Sequence, residues 1–349
     1  MTTGFGIIGC GMIANFHARA IADLGNARLV ACYNRSAPKA EALAAEFGGD
    51  VYTDLAQMLA RKDLDVVTIC TPSGAHCEPA IAAAQAGKHV IVEKPLDVTR
   101  ERCQAMIDAC AQAGVKLATI FPSRFHHSSR LMKQAVEQAR FGTLALGDAY
   151  VKWFRTQEYY DSGAWRGTWE MDGGGALMNQ AIHSVDLLLW LMGPVVEVMA
   201  HTATLAHERI EVEDVATATL RFANGALGTI VATTAAFPGS LKRIELSGSQ
   251  GTAILEEEDI IKWEFAEAQP QDAELRAEMK GRTKTGGGAG DPAAIGHQAH
   301  TELFRDFLEA IEQDRAPSID GLEGMRSVEL ILAIYESAKT GKRVVLTEK

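Results

Sequence analysis

Residues 6–14 read GIIGCGMIA, an apolar run that leads into the spacing G-x-G-x-x-A. At a strand-to-helix turn of this kind, Gly9 permits the tight turn and Gly11 lets backbone N–H groups approach a pyrophosphate at the helix N-terminus. Ala14 allows the helix to pack closely on the strand. The spacing alone is a weak signal, but a predicted strand precedes it and a predicted helix follows it, as the motif requires. We therefore predict a dinucleotide site formed by Gly9, Gly11, Met12 and Ile13.

The first third of the chain alternates short apolar runs with Ala-rich amphipathic stretches, from residue 5 to about residue 122. Strands that are apolar on both faces belong to a parallel sheet covered by helices on both sides. We therefore predict an α/β fold that begins with a doubly wound parallel sheet, a Rossmann domain over residues 1–122.

After about residue 145 the pattern changes to alternating strands joined by turn signals such as Asn224-Gly225. Meandering strands form an antiparallel sheet, which needs covering on one face only. We predict that residues 123–349 form an α+β domain for substrate binding and oligomerisation, built on a mainly antiparallel sheet. Because an uncovered sheet face is a natural interface, we also predict a homo-oligomer.

The composition excludes several classes of protein. The 349 residues include 34 Lys+Arg against 45 Asp+Glu, a net charge of −11, and 47% are hydrophobic. This is the composition of a globular protein of about two domains. No basic run suited to nucleic acid appears, and no stretch approaches the ~20 apolar residues of a membrane span. No export signal is seen, so we expect a cytoplasmic protein with neither nucleic-acid nor membrane partners.

Six cysteines all lie within the first 110 residues, without a C-x-x-C pair or metal-ligand spacing. This pattern is typical of reduced, buried thiols, and it predicts neither a disulfide framework nor a metal site. The six residues are Cys10, Cys32, Cys70, Cys77, Cys103 and Cys110.

The end of the second strand bears on the choice of dinucleotide. A carboxylate in this region of the chain commonly receives the ribose hydroxyls of NAD. Here the sequence reads Asn34-Arg35-Ser36 instead. Arg35 could pair with a 2′-phosphate, and Asn34 and Ser36 could donate hydrogen bonds to it, which favours NADP(H) over NAD(H). Asn34 could also hold an unphosphorylated ribose, and Arg35 could equally be a solvated loop cation.

The sequence Glu93-Lys94-Pro95 follows an apolar run and places a lysine just past the carboxyl end of a sheet strand. Open α/β sheets bind their ligands at this edge. Pro95 fixes its own φ and restricts the backbone of Lys94, so the ammonium group can be held in place. Alone, a Glu-Lys pair is usually a surface feature.

Three glycines at residues 173–175 open a predicted helix on which Asn179, His183 and Asp186 share one face. A lone histidine on such a helix is more often a core residue. The preceding glycine loop favours an active-site role for His183, whereas Asp186 is expected to anchor the helix.

Together these motifs resemble the glucose-fructose oxidoreductase / inositol dehydrogenase / MocA family. The resemblance implies a Rossmann domain, a second domain with a large open sheet, homodimers or homotetramers, and NAD(P)-dependent chemistry on sugars, cyclitols or their derivatives. It extends over essentially the whole chain and rests on the N-terminal fingerprint, the loop Thr71-Pro72-Ser73-Gly74-Ala75-His76, the Glu93-Lys94-Pro95 motif, the glycine loop leading to His183 and Asp186, and the segment from Asp320-Gly321 to Tyr335.

The resemblance also implies catalytic roles for two residues. Lys94 would contact the reacting hydroxyl and stabilise developing alkoxide charge. His183 would be the general acid/base that takes the alcohol proton while the hydride passes to nicotinamide C4.

Other residues are candidates for binding. Further contacts to the cofactor that the resemblance implies are Thr71, Pro72, His76, Glu93, Lys94, Trp165 and Arg166. Candidate contacts to the substrate are Lys94, Arg124, Tyr159, Trp165, Asn179 and His183, while Tyr160, Arg166 and His300 could add walls for a pyranose ring.

One position departs from the family. Many members carry Asp four residues before the catalytic histidine, where this chain has Asn179. An amide can hydrogen-bond the imidazole or a substrate hydroxyl but cannot raise the histidine pKa by its charge. Either His183 alone is the base, or Lys94 carries more of the proton transfer.

Two functional alternatives and one structural alternative stay open. A family member with tightly held NAD could cleave a glycoside without net redox change, or the chain could be a non-catalytic NAD(P)-binding regulator, although Lys94 and His183 argue against the latter. Residues 270–300, which contain the glycines 286–288, are interpreted as a surface loop or as a lid over the substrate.

Overall fold

The computed structural model describes residues 2–278, 281 and 296–346. The chain divides into two compact units. The first contains Met1–Pro122, Glu170–Gly173 and Gly296–Val328, and the second contains Ser123–Trp169, Gly174–Ile295 and Glu329–Lys349. Of the segment interpreted as a loop or lid, residues 279–280 and 282–295 lie outside the described residues.

The first unit contains a six-stranded sheet in the order β3-β2-β1-β4-β5-β6, and every pair of neighbouring strands is parallel. Helices follow the strands in alternation, so the predicted doubly wound sheet is confirmed. The elements are β1 (Thr3–Ile8), α1 (Met12–Ala22), β2 (Ala27–Tyr33), α2 (Ala37–Phe47), β3 (Asp50–Tyr52), α3 (Leu55–Leu59), β4 (Val66–Ile69), α4 (Cys77–Gln85), β5 (His89–Val92), α5 (Arg100–Ala113) and β6 (Leu117–Thr119).

The second unit contains an eight-stranded sheet in the order β13-β12-β11-β7-β10-β9-β8-β14. Its elements are α6 (His127–Glu137), β7 (Leu144–Lys152), α7 (Gln157–Asp161), a π-helix (Ala176–Ala181), α8 (Ile182–Met192), β8 (Val195–Ala203), β9 (Val215–Phe222), β10 (Leu227–Thr233), β11 (Arg243–Gly248), β12 (Gly251–Glu256), β13 (Asp259–Phe265) and α9 (Asp272–Glu278). After them come α10 (Gln298–Glu312) in the first unit, α11 (Gly321–Thr340), which runs from the first unit into the second, and β14 (Val344–Val345) in the second.

The large sheet is mainly antiparallel, as predicted, with β7 and β10 as a parallel pair. The hairpin predicted at Asn224-Gly225 joins β9 to β10. Side chains alternate along β9, where Leu220 is buried and Thr219 is exposed. Leu146 and Leu227 are register partners that are both exposed, so the sheet presents one open face.

Helix α10 explains why a late segment joins the first unit. Phe304 stacks on Phe5 of β1 with ring centroids 5.8 Å apart, and Phe307 packs edge-on against His89 of β5 at 6.5 Å. Both contacts cover the parallel sheet with apolar rings. A domain boundary at residue 123 assigns this segment to the second domain, which it follows along the chain, whereas the structure places it in the first unit.

All six cysteines are buried and free, in agreement with the sequence prediction. Within the described ranges, no helix combines the length and the apolar character needed to cross a bilayer.

Candidate active site

The glycine loop between β1 and α1 has the shape of a phosphate cradle. Gly9 has a φ of +92°, and a Cβ atom there would lie 2.8 Å from the backbone of Cys70 and of Thr71. Gly11 caps α1 in an extended conformation, and a Cβ there would meet no protein atom within 4 Å. The first glycine therefore makes the turn, and the second leaves open space at the start of a helix, which fits a dinucleotide pyrophosphate.

Asn34 closes this loop from the end of β2. Its Oδ1 accepts the backbone N–H of Cys10 at 3.3 Å, and its Nδ2 donates to the Ser36 hydroxyl at 3.1 Å. Arg35 is exposed beside it. Because the Asn34 amide already binds at both ends, the exposed guanidinium is the group in this segment most available to a 2′-phosphate.

Glu93 is turned into the first unit. Its Oε1 lies 2.8 Å from His17 Nε2, and its Oε2 accepts the backbone N–H of Lys94 at 2.9 Å. Burial alone would raise the pKa of this carboxyl, but the hydrogen bond from His17 and the neighbouring positive charges lower it to about 2. Both carboxylate oxygens hold protein groups, and one of them fixes the backbone of Lys94. A contact of Glu93 with the cofactor stays a prediction.

His17 extends this cluster to β4. Its Nδ1 lies 2.7 Å from the Thr68 hydroxyl, so the ring joins helix α1 to the ends of two strands. His300 of α10 lies close by, with its Nε2 4.0 Å from Glu93 Oε1, and burial with the charge of His17 lowers its pKa to about 4. His300 is 3% exposed and its ring packs on Phe16 and His17, so its place in a substrate wall stays a prediction.

The ligand atoms of His17, Glu93 and His300 lie within 4.8 Å of one another, a spacing that a metal ion could use. The 2.8 Å contact between His17 and Glu93 is a normal hydrogen bond to a carboxylate. We interpret the cluster as a polar core that ties Lys94 to α1.

His76 contacts the loop after β4 and the loop that contains Pro95. Its Nδ1 lies 2.9 Å from the Pro95 carbonyl and its Nε2 3.0 Å from the Thr71 carbonyl, and the residue is 1% exposed. His76 was a candidate cofactor contact, but its ring nitrogens face backbone oxygens. The contacts therefore join the Thr71-Pro72 loop to the loop that carries Lys94, which is half-buried.

The helix that carries His183 is not one continuous α-helix. Asn179 lies in the π-helix Ala176–Ala181, whereas His183 and Asp186 lie in α8. The prediction that these three residues share one face of an α-helix is corrected accordingly, because a π-turn is wider than an α-turn. Wide turns of this type occur often at functional sites. Both Asn179 and His183 are half-buried.

Glu213 holds the start of the π-helix. Its carboxylate accepts the backbone N–H groups of Gly175 at 3.0 Å and Leu177 at 2.8 Å, and the Tyr335 hydroxyl donates to it at 3.0 Å. Burial raises the pKa of Glu213 to about 7, against the lowering effect of these hydrogen bonds. Gly175 has no room for a side chain, since a Cβ would lie 1.8 Å from the Glu213 carbonyl oxygen.

Asp186 anchors α8 through a buried, two-pronged ion pair with Arg124. The Nε and Nη2 atoms of Arg124 donate to its two carboxylate oxygens at 2.9 and 2.6 Å. Arg124 was a candidate substrate contact. Arg124 is 6% exposed and its guanidinium is already paired with Asp186, so a contact between Arg124 and the substrate stays a prediction.

A set of polar and aromatic side chains surrounds Tyr159. Arg166 Nη1 and Gln180 Nε2 both donate to the Tyr159 hydroxyl, at 2.6 and 2.9 Å. Gln180 Oε1 accepts from Arg155 Nη2 at 2.7 Å. We call Arg155, Tyr159, Arg166 and Gln180 the Tyr159 network. Trp165 contacts it, because the Arg166 guanidinium lies 4.5 Å from the Trp165 ring centroid.

Tyr160, another candidate wall of the substrate site, belongs to the core. It is 5% exposed, its hydroxyl lies 2.8 Å from that of Thr234, and its ring packs on His207 at 4.7 Å. Tyr159 and Tyr160 are neighbours in α7, and the Tyr160 ring packs edge-on against that of Tyr159 with centroids 5.3 Å apart.

Sequence reasoning missed four residues that shape these sites: His17, Arg155, Gln180 and Glu213. Buried polar side chains next to predicted motifs were the available signal. His17 lies on the helix that follows the glycine loop, and Gln180 directly follows Asn179. Arg155 lies just after β7 and Glu213 just before β9, with no motif to mark them.

Comparison with known proteins gives a consistent picture. Residues 3–121 match the profile of an oxidoreductase family with an NAD-binding Rossmann fold, and residues 129–254 match the GFO/IDH/MocA C-terminal domain. Myo-inositol 2-dehydrogenase from Thermotoga maritima is 32% identical over 251 residues, which are 70% of this chain and 73% of that protein. Levoglucosan dehydrogenase from Pseudarthrobacter phenanthrenivorans is 30% identical over 307 residues, 79% and 78% of the two chains.

A solved structure matches the whole chain. The WlbA dehydrogenase from Bordetella pertussis, crystallised in complex with NADH and UDP-GlcNAcA, is 39% identical to this chain with a TM-score of 0.88. The match covers 100% of both chains.

Proposed function

The chain belongs to the glucose-fructose oxidoreductase / inositol dehydrogenase / MocA family of NAD-binding oxidoreductases, and we propose that it is a dehydrogenase or reductase acting on a secondary hydroxyl or carbonyl of a sugar, sugar derivative or cyclitol. One observation carries this proposal. The open cradle at Gly11 and the fixed backbone of Lys94 both lie at the carboxyl edge of the parallel sheet, where α/β sheets bind ligands.

Two side chains act on the reacting oxygen in the proposed reaction, His183 as the acid/base and Lys94 as the positive charge. Bound nicotinamide dinucleotide supplies the hydride acceptor or donor. His183 takes the hydroxyl proton as the carbonyl forms, and it returns that proton in the reverse direction. The ammonium of Lys94 stabilises the negative charge that develops on the same oxygen. Asn179 binds a substrate hydroxyl from the π-helix.

We propose that NADP(H) binds more tightly than NAD(H). The support is the exposed Arg35 and the lack of a carboxylate at the end of β2. The dissociation constants of both cofactors, measured for the wild type and for Arg35→Ala, test this. We expect the variant to lose affinity for NADP(H) alone. Tighter binding of NAD(H) by the wild type would overturn the preference.

We propose a homodimer or homotetramer formed through the open face of the large sheet. The exposed Leu146, Leu227 and Met199 on this face support it. A sedimentation mass equal to one chain would refute it. The six free thiols fit a reducing compartment, so the cytoplasm stays our expected location.

The test of the proposed activity is a panel of sugars, sugar acids, sugar nucleotides and inositols, assayed with both cofactors. UDP-GlcNAcA belongs in the panel because of the 39% identity to WlbA. We expect a change in absorbance at about 340 nm, where reduced nicotinamide absorbs. Product formation with no net change, and with cofactor that survives purification, would indicate redox-neutral glycoside cleavage instead.

A further inference from the structure

The Tyr159 network brings two cationic groups to one phenol. Arg166 donates to the Tyr159 hydroxyl at 2.6 Å, and its guanidinium lies 4.2 Å from the Tyr159 ring centroid. The guanidinium of Arg155 lies 5.5 Å from the same ring. Arg155 is 3% exposed, whereas Arg166 is half-buried. Two arginines therefore share one aromatic platform inside a chain whose net charge is −11.

The two charges act on one another. Burial lowers the pKa of Arg155, Tyr159 opposes that effect, and the charge of Arg166 lowers the pKa further. Among the residues that the structure describes, Arg166 forms no ion pair: its contacts are the Tyr159 hydroxyl and the faces of Tyr159 and Trp165. A negatively charged group from outside would stabilise both guanidinium groups, because it would offset their mutual repulsion.

Hydrogen bonds of Gln180 connect the Tyr159 network to Asn179 of the proposed reaction site. Gln180 accepts from Arg155 and donates to both Tyr159 and Asn179, the latter at 2.9 Å. Asn179 lies in the π-helix that leads directly into α8 and His183. A group bound at Arg166 would thus lie beside the turn that positions the proposed base. The planar guanidinium, held against two rings, is preorganised for a two-pronged contact to oxygen anions.

We propose that Arg166, supported by Arg155, recognises an anionic oxygen group of the substrate, a carboxylate or a phosphate, so that the enzyme selects an acidic or phosphorylated sugar over a neutral one. This rests on the proposed function, since it names the substrate class of that same site. Arg166 is the contact residue because it is the more exposed of the two. Arg155 is a positioning residue that orients Gln180 and contributes positive potential.

The test measures binding to the cofactor-saturated enzyme by calorimetry with two matched pairs of probes. UDP-GlcNAcA against UDP-GlcNAc isolates a sugar carboxylate, and glucose 6-phosphate against glucose isolates a sugar phosphate. We expect the wild type to prefer the anionic member of one pair. Arg166→Gln should lower the affinity for the anionic member of that pair by about 10- to 100-fold, the loss expected for a hydrogen bond to a charged group. The affinity for the neutral member should stay unchanged. Arg166→Lys should recover part of the loss.

Arg276→Gln, at an exposed arginine of α9, is the matched control and should change neither pair. No preference for either anionic probe, or an equal loss for both members of a pair in Arg166→Gln, would overturn the proposal. A loss of dinucleotide affinity with substrate preference intact would overturn it too, since Arg166 would then serve the cofactor. Absence of hydride transfer with anion preference intact would count against the proposed function alone.

Discussion

Two buried polar clusters, one in each unit, are built in opposite ways. In the first unit the Glu93 carboxylate accepts from His17 and from the backbone of Lys94, so the negative group is matched by donors of the same unit. In the second unit the Tyr159 network places Arg155 and Arg166 around one phenol, and like charges face each other. A matched group stabilises the fold itself. A like-charged pair gains only when a ligand arrives, which is why we assign the first cluster to structure and the second to recognition.

We expect the largest effect from removal of the proposed reacting side chain of each unit, Lys94 in the first and His183 in the second. We expect Lys94→Ala and His183→Ala each to reduce kcat by about 100-fold or more, because charge stabilisation and general acid–base catalysis each contribute factors of that size. Cofactor affinity, measured by titration, should persist. The exposed Lys62→Ala and His127→Ala serve as matched controls. Full activity in either active-site variant would remove that residue from the mechanism.

The structural role of Glu93 and the recognition role of Arg166 can be compared through the stability of their variants. Glu93→Ala should lower the free energy of unfolding by about 3 kcal/mol, because it leaves the buried His17 and the Lys94 N–H without their acceptor. Glu93→Gln keeps an acceptor and should cost less. Arg166→Gln should change stability by no more than about 0.5 kcal/mol, since it relieves repulsion. Urea unfolding measures all three; equal losses in Glu93→Ala and Arg166→Gln would erase the distinction between the clusters.

The pH dependence of stability should differ between the units. The folded-state pKa of Glu93 is about 2 against an ordinary 4.5, so its contribution is present above pH 4.5 and is lost as the pH falls toward 2. The folded-state pKa of Glu213 is about 7 against 4.5, so its contribution is present below pH 4.5 and is lost as the pH rises through 7. We expect the thermal midpoint of Glu93→Gln to vary less with pH than that of the wild type between pH 2 and 4.5. The midpoint of Glu213→Gln should vary less between pH 4.5 and 7. An unchanged slope in Glu213→Gln would contradict the second assignment.

The smallest expected effect concerns Asn179. A carboxylate near an imidazole favours its protonated form, so Asn179→Asp should move the acidic limb of the pH–rate profile to higher pH. Asn179→Ser, which is smaller and carries no charge, is the control for loss of the amide. A profile that does not move in Asn179→Asp would show that residue 179 acts on the substrate and not on the base.

Local patterns in the sequence predicted most of the fold. The two-sided apolar strands and the G-x-G-x-x-A turn specify a parallel sheet with Gly9 at the bend, and Asn224-Gly225 specifies the β9–β10 hairpin, because each depends on neighbouring residues only. The membership of α10 in the first unit depends on Phe304 meeting Phe5, about 300 residues away along the chain. No local period encodes such a contact.

The candidate sites show the same limit. The motif residues Gly11, Lys94 and His183 could be found because their chemistry comes with recognisable neighbours. The side chains that position them could not, since Glu213 reaches the π-helix from 38 residues away and His17 meets Glu93 across 76. That distant carboxylate binds backbone N–H groups at the start of the π-helix, whereas helical spacing alone predicted an ordinary α-helix.

The most direct measurement follows the hydride itself. A substrate from the panel is prepared with deuterium at the carbinol carbon, and the dinucleotide is analysed by mass spectrometry after turnover by the wild type and by His183→Ala. We expect one deuterium in the reduced nicotinamide with the wild type, and at least about 100-fold slower transfer with the variant. Turnover that leaves the deuterium on the sugar or releases it to water would contradict hydride transfer as the reaction of this protein.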